Sequence, residues 1–166
     1  MTSRTRSVRA RRVEVPDEIR ALDTLLSRDY AAAWAAEVTD GEGCSAERWA
    51  RATFEDAPHA LRAFIVAGWT SFLGLRLGPR DSPDHVLGWR IVTDAPELII
   101  LESQFRFGTA HNLVRVDDSR VLLATFVRYE KRGGRTAWSV AAPLHHRIVP
   151  YLLGRAASGF AAAASA

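Results

Sequence analysis

The strongest constraint on the fold lies between His85 and Lys131, where strand-forming segments follow one another with very little connecting chain. The segments are rich in Val, Ile, Leu, Thr and Phe, and three-residue links containing Asp, Pro, Gly or Ser separate them. Links this short join antiparallel neighbours, because a parallel pair needs a crossover of about a dozen residues or more. We therefore predict an antiparallel meander with strands His85–Thr93, Glu97–Phe105, Thr109–Val116 and Arg120–Lys131.

Helical patterns precede the meander. Asp17–Leu26 carries apolar residues at helical spacing and predicts a short helix. Asp29–Val38 has Tyr30, Ala32, Trp34, Ala36 and Val38 at alternate positions and predicts the first strand, although its alanines would also suit a helix; a turn follows over residues 39–43. Ser45 is a favourable N-cap for a helix through Phe54, and a second helix begins at Pro58 and ends before Gly78-Pro79.

A long helix follows the meander. Gly133-Gly134 ends the last strand, and the apolar spacing from Thr136 to about Ala157 predicts a helix that bends or restarts at Pro143 and Pro150. Strand, two helices, meander and long final helix together predict one α+β domain.

Charge and composition divide the chain into three parts. A core is feasible because 48% of the 166 residues are hydrophobic and 25% are charged. Residues 1–12 hold five arginines and no acid, and we expect a solvated flexible arm rather than a nucleic-acid-binding element. We predict a single domain over 13–160 and a frayed alanine-rich tail over 161–166.

Several functional classes lack their signatures. Cys44 is the single cysteine, so an intramolecular disulfide is excluded and a reducing cytoplasm is the expected location. The most apolar stretch, Ala63–Leu75, is shorter than the roughly 20 residues of a membrane span. The histidines lack the spacing of a helical metal site, and phosphate- and dinucleotide-binding fingerprints are missing, so we expect neither a metal nor a cofactor.

Short motifs carry a resemblance to a known group: Asp29-Tyr30-Ala31, Ser82-Pro83-Asp84-His85, Gly88-Trp89-Arg90-Ile91, residues 124–129, and Trp138 followed by Pro143-Leu144-His145. Over roughly residues 30–157 the chain resembles the SRPBCC superfamily, which includes START domains, birch-pollen-allergen proteins and polyketide cyclases. More narrowly, it resembles a bacterial branch labelled as a domain of unknown function. The resemblance implies a helix-grip fold, in which a curved antiparallel sheet wraps a long C-terminal helix around a hydrophobic cavity. It implies no single activity.

Hairpin geometry sorts the strand residues into two faces. The more apolar face should be concave and look toward the last helix; it holds Val86, Arg90, Val92, Ile99, Leu101, Ser103, Phe105, Asn112, Val114, Val116, Val121, Leu123, Thr125, Val127 and Tyr129. The opposite face carries Trp89, Ile91, Leu113 and Phe126, which indicate either a homodimer patch or that the two faces are assigned the wrong way round.

The predicted cavity yields candidate ligand-binding residues: Arg90, Ser103, Phe105, Asn112, Thr125, Tyr129, Trp69, Trp138 and His145. Among them, Arg90 would meet an acidic or carbonyl group of the ligand or, alternatively, extend to the rim of the sheet or pair with an acid in a loop. His145 shares a helical stripe with Trp138 and would either act on the ligand or simply bond a backbone carbonyl.

Three functions follow from these assignments. The first is a binding protein for a small hydrophobic molecule, lipid-, polyketide- or aromatic-like, held between sheet and last helix. The second is a cyclase- or dehydratase-like enzyme that uses His145, Tyr129 and Arg90 as its acid–base and oxyanion-stabilising groups. The third is an interaction module that binds nucleic acid through the basic arm or a partner protein chain through the Trp89 face.

Overall fold

The sheet is the organising element of the computed structural model, which describes residues 7–38 and 44–164. Its strands are β1 (Arg11–Val13), β2 (Tyr30–Glu37), β3 (His85–Val86), β4 (Trp89–Ala95), β5 (Leu98–Phe105), β6 (Gly108–Val116) and β7 (Arg120–Tyr129). They form one curved antiparallel sheet in the order β1-β2-β7-β6-β5-β4-β3. The α+β class and the antiparallel meander are therefore confirmed.

The helices are α1 (Asp17–Leu22), α2 (Ala46–Phe54), α3 (His59–Ala67) and α4 (Gly134–Ala164), and a π-helical segment (Gly68–Leu73) continues α3. The Ser45 N-cap is confirmed, since its hydroxyl oxygen accepts a hydrogen bond from the Arg48 amide at 3.2 Å. The first helix is shorter than predicted because Asp23 leaves the helical conformation and turns its carboxylate toward Arg28. Among the described residues no helix combines the length and apolarity of a membrane span.

Strand register agrees with the prediction in the second half of the meander. Val116 pairs with Val121 and Asn112 with Thr125, which places the turn at Asp118-Ser119 as expected. The inner face therefore carries Ile99, Leu101, Val114 and Leu123, all fully buried in the larger core cluster.

The first part of the meander differs from the prediction. The single strand predicted over His85–Thr93 is two strands, because Leu87 and Gly88 both have positive φ and form a two-residue hairpin turn. Strand β4 then contains a bulge between Ile91 and Thr93, where its register with β5 shifts by one residue. A one-residue shift exchanges the two faces of a strand. Trp89 and Ile91 consequently pack inward, and Arg90 points outward.

The N-terminal segment covers the outer face of the sheet. Val15, Ile19 and Leu25 pack on Leu113 and Phe126, both of which are fully buried. The homodimer patch predicted from Trp89, Ile91, Leu113 and Phe126 was therefore wrong: two members are covered by the chain itself, and the other two belong to the inner side.

The end of the predicted flexible arm is also part of the fold. Arg11 and Arg12 belong to β1 and pair with Ala35 and Trp34 of β2, while the Val8 amide donates to Ser158 Oγ in α4 at 2.9 Å. The arm assigned to residues 1–12 was thus wrong for its described C-terminal half; residues 1–6 lie outside the described residues, as does the turn predicted over 39–43.

Helix α4 extends beyond both predicted ends. It runs without interruption through Pro143 and Pro150 and continues to Ala164, so the tail predicted to fray from residue 161 is helical over its described part. The reason is packing near the end of the helix, where the ring of Phe160 lies 4.3 Å from that of Trp49 in α2. The helix therefore spans the concave side of the sheet and forms one wall of the space beneath it.

Candidate functional site

A cavity of about 300 Å³ lies between the concave face of the sheet, the α3–π segment and helix α4. Most of its lining is apolar: Phe54, Phe64, Ile65, Gly68, Trp69, Phe72, Leu73, Leu75, Trp89, Phe105, Ala110, Trp138, Val140, Ala141, Leu144, Ile148, Val149 and Leu152. Its remaining lining residues are Asn112, Thr125 and His145, and none of the described residues that line it is Asp, Glu, Lys or Arg.

The π-helical segment shapes one side of this cavity. Its wider turns end at Gly74, which adopts the left-handed conformation (φ 67°) and donates its amide to Trp69 O. Trp69 in turn packs edge-on against Trp89 of β4, with ring centroids 5.5 Å apart. Turns of this kind recur at functional sites because they displace side chains from the regular helical positions. Here the irregular turn presents both Trp69 and Phe72 to the cavity.

A chain of three polar side chains forms the hydrophilic part of the cavity. The Thr125 hydroxyl donates to Asn112 Oδ1 at 2.7 Å and lies 3.3 Å from His145 Nε2. Because a hydroxyl has a single hydrogen, Nε2 must be the donor in the second bond. The neutral ring of His145 then has an unprotonated Nδ1, which is buried and has no hydrogen-bond partner among the described residues.

Aromatic rings surround His145 and determine its charge state. Trp34 and Trp138 stand edge-on to its imidazole at centroid distances of 5.2 and 5.3 Å. Burial, with a smaller contribution from neighbouring His146, lowers the pKa of His145 to about 3. The ring is therefore uncharged at neutral pH, and it can take part in hydrogen bonds but cannot neutralise an anion.

A second aromatic pair lies beside this cluster. Tyr30 Oη and His146 Nε2 are 2.6 Å apart, and Tyr30 packs edge-on against Trp138. Burial raises the pKa of Tyr30 to about 12, so the phenol is the donor and the imidazole the acceptor. The pair lies outside the cavity lining and holds α4 against β2.

The cavity brings together many of the predicted ligand-binding residues. Six of them line it: Trp69, Phe105, Asn112, Thr125, Trp138 and His145. Ser103 is buried on the same face of the sheet but lies outside the lining, where its hydroxyl is within 3.5 Å of Arg76 O.

Arg90 and Tyr129 were assigned wrongly. Arg90 lies on the opposite face of the sheet, where its guanidinium pairs with Glu102 at 2.6 Å and 62% of its side chain is exposed. The bulge in β4 is the cause, since it reverses the alternation on which the assignment depended. Tyr129 lies at the end of β7 against Gly134 and does not line the cavity. His145, Tyr129 and Arg90 therefore do not converge on a common substrate position.

Apart from Trp69, sequence reasoning missed the residues that α3 and the π segment contribute to the cavity lining, and it missed Trp89. Phe64, Ile65, Gly68 and Phe72 lie at helical spacing within the helix predicted to begin at Pro58, and Gly68 was the available signal for open space. A Cβ at Gly68 would meet no heavy atom within 4 Å.

Sequence reasoning also missed a buried polar network on the outer face. His111 Nδ1 lies 2.7 Å from Asp23 Oδ1, and its Nε2 lies 3.2 Å from Glu102 Oε2. Arg28 and Arg90 complete the network by binding the same two carboxylates. Burial opposes ionisation of Asp23, but hydrogen bonds from His111 and Arg28 outweigh it and lower the pKa of this carboxyl. The network fastens the N-terminal segment to the sheet, and the covered ring of His111 offers no route for a substrate.

Metal binding finds no support in the described ranges, where no group of three or more His, Cys, Asp and Glu side chains is arranged around a common point. Among the described lining residues the one hydroxyl, that of Thr125, donates its hydrogen to Asn112 rather than to His145, and Cys44 lies outside the lining, so no nucleophile there is activated by a neighbouring base. What the arrangement can do is enclose an apolar molecule and form hydrogen bonds at one end of it.

Comparisons with known proteins assign no family. No family model matches the chain, and no curated protein matches it. It is similar to the solution NMR structure of a structural-genomics target protein from Arthrobacter aurescens, with 13% identity over 78% of this chain and 92% of the other. The TM-score of 0.38 is too low for this likeness to support a statement about fold family or function.

Proposed function

We propose that this protein binds a small, uncharged and largely apolar molecule in the cavity between the sheet and helix α4, within a helix-grip fold. The observation that carries the proposal is an apolar space of about 300 Å³ in which no described lining residue bears a charged side chain. Ligand sites are typically apolar concavities of this size or larger, with a few polar groups that orient the guest. A cytoplasmic location, consistent with the free Cys44, belongs to the same proposal.

The polar end of the cavity indicates which chemical groups the ligand should carry. Asn112 Oδ1 is occupied by the Thr125 hydroxyl, so the amide NH₂ of Asn112 remains to donate to a ligand oxygen. A carboxylate or phosphate would enter without a cation to pair with, which costs several kcal/mol or more. The proposed ligand therefore carries a carbonyl or hydroxyl oxygen and no net charge.

The same observations disfavour the cyclase- or dehydratase-like alternative. Of its three proposed groups only His145 lines the cavity, and its lowered pKa makes it a weak base at neutral pH. The binding function uses Asn112, Thr125 and His145 without requiring proton transfer. It therefore accounts for the arrangement with fewer assumptions.

Two cavity-filling variants test the proposal. Gly68→Leu adds a side chain where a Cβ meets nothing within 4 Å, and Ala110→Leu enlarges a buried residue on the cavity floor. We expect both to weaken binding of a fluorescent apolar probe, and of hits from a thermal-shift screen of neutral lipids, flavonoids and polyketides, by roughly tenfold or more.

Gly159→Leu is the matched control. It also places leucine in a helix where a Cβ meets nothing within 4 Å, but Gly159 lies away from the cavity. We expect it to bind the probe like the unmodified chain. Equal binding by all three variants would rule out the cavity as the binding site, and the absence of any hit in the screen would count against a ligand-binding function.

A further inference from the structure

Exposed hydrophobic side chains surround the entrance of the cavity. Phe64, Phe72, Val140 and Leu144, here called the apolar rim, line the cavity and are also 55%, 51%, 62% and 47% exposed. Large apolar residues that are exposed singly need no explanation, whereas a cluster on two adjacent elements indicates an interaction surface.

The rim continues along α4. Val140, Leu144, Arg147 and Tyr151 are spaced by four, three and four residues, so they form one stripe on the helix, and all four are exposed. Tyr151 is 53% exposed. A stripe of aliphatic residues with an arginine and a tyrosine combines an apolar surface with groups that prefer an interface with water.

The two chain segments that contain the rim residues carry positively charged side chains and no acidic ones. Residues 57–80 and 131–166 contain no Asp or Glu, although the chain has 19 of these acids. The described parts of the same segments hold eight cations: Arg62, Arg76, Arg80, Lys131, Arg132, Arg135, Arg147 and Arg155. Arg76, Arg135 and Arg147 are exposed and form no ion pair with any described residue. Helix α4, which carries Val140 and Leu144, therefore presents Arg135 and Arg147 without a compensating acid, and Arg76 follows shortly after the π-helical segment that carries Phe72.

We infer that the apolar rim docks on an anionic lipid bilayer, with the entrance of the cavity facing the membrane. The rim side chains would enter the boundary between headgroups and acyl chains, and the arginines would contact anionic headgroups. A second copy of the chain is a poorer partner, because two such surfaces would repel each other. The inference rests on the proposed function only in that docking would let an apolar ligand pass between bilayer and cavity.

Vesicle flotation tests this inference. We expect the full chain to float with vesicles of equal parts phosphatidylserine and phosphatidylcholine, to remain free with phosphatidylcholine alone, and to be released by added salt. Leu144→Glu and Arg147→Glu should each weaken binding to the anionic vesicles by roughly tenfold. Leu26→Glu is the matched control: it introduces the same charge at a leucine that is 92% exposed outside the rim, and it should leave vesicle binding within about twofold.

Three results would overturn the inference: no binding to anionic vesicles, binding that Leu144→Glu and Arg147→Glu leave intact, or a dimer in sedimentation velocity that Leu144→Glu dissociates. Ligand binding in vesicle-free solution separates this inference from the proposed function. Ala110→Leu should lose the ligand and keep vesicle binding, and Arg147→Glu should show the opposite pattern, because Arg147 does not line the cavity.

Discussion

Two buried imidazoles on opposite faces of the sheet show how strongly the surroundings of one residue determine its role. His145 is enclosed by indole rings and is neutral at pH 7, and it lines the cavity in which we propose that an uncharged ligand binds. His111 lies between two carboxylates, and each of its ring nitrogens has a carboxylate oxygen within hydrogen-bonding distance. The first residue is available for binding, whereas the second is a structural fastener.

His111→Gln should disrupt the network that attaches the N-terminal segment to the sheet. Gln cannot reach both Asp23 and Glu102 with donors, so the buried carboxylate of Asp23 loses a partner, and we expect the free energy of unfolding at pH 7 to fall by roughly 3 kcal/mol. Urea denaturation followed by tryptophan fluorescence measures the change. Exposed His59 provides the control, since His59→Gln should change stability by less than about 0.5 kcal/mol.

The loss of stability caused by His111→Gln should depend on pH. The folded pKa values of Asp23 and Glu102 are lowered, so their stabilisation is fully present above the ordinary values of 3.8 and 4.5 and is lost as pH falls toward the folded values. The stability difference between the unmodified chain and His111→Gln should therefore narrow below about pH 4. A difference that stays constant down to pH 3 would show that the network does not act through these carboxylates.

Among the elements, β4 was predicted as a strand, but its inward and outward faces were exchanged. Its Trp-Arg-Ile-Val-Thr sequence fits either face, and the assignment depended on counting back from the next turn. The bulge between Ile91 and Thr93 reversed the inward–outward alternation expected from that count. Arg90 therefore lies on the outer face, where it pairs with Glu102. Strands β6 and β7 contain no bulge, and their inward residues Asn112 and Thr125 were predicted correctly.

The N-terminal segment depends on one close approach to helix α4. A Cβ at Gly154 would lie 2.9 Å from Val8 O and 3.2 Å from Ala10 N, so only glycine permits the segment to cross the helix here. We expect Gly154→Val to release this segment, with faster hydrogen–deuterium exchange over residues 8–13 and retained protection in β5 to β7.

Gly159→Val controls for the effect of valine in this helix, because nothing lies within 4 Å of a Cβ at that position. It should leave exchange over residues 8–13 unchanged. If Gly154→Val behaves in the same way, the crossing seen in the structure is not what anchors the segment.

At the scale of the whole molecule, a single sheet supports two separate layers. Helices α2, α3 and α4 cover the concave face and enclose the cavity, while Val15, Ile19 and Leu25 cover the convex face. The two layers share β5, β6 and β7, whose residues alternate between them. We therefore expect them to unfold together.

Coincident urea transitions by far-ultraviolet circular dichroism and tryptophan fluorescence would verify this cooperativity. A cavity ligand present at a hundred times its dissociation constant should raise the free energy of unfolding by about 2.7 kcal/mol and shift both transitions equally. Two separated transitions, of which only one responds to ligand, would show that the layers are independent.

The antiparallel meander, its link with a long final helix and the inward direction of Asn112 and Thr125 could be predicted from the chain alone, because short links and two-residue alternation are local properties. Contacts between distant segments decided the rest. Asp23 meets His111 across 88 positions, and Val8 meets Ser158 across 150. Which layer covers each face, where Arg90 points and whether a cavity remains under α4 all depend on how such segments pack, and local spacing contains no information about that packing.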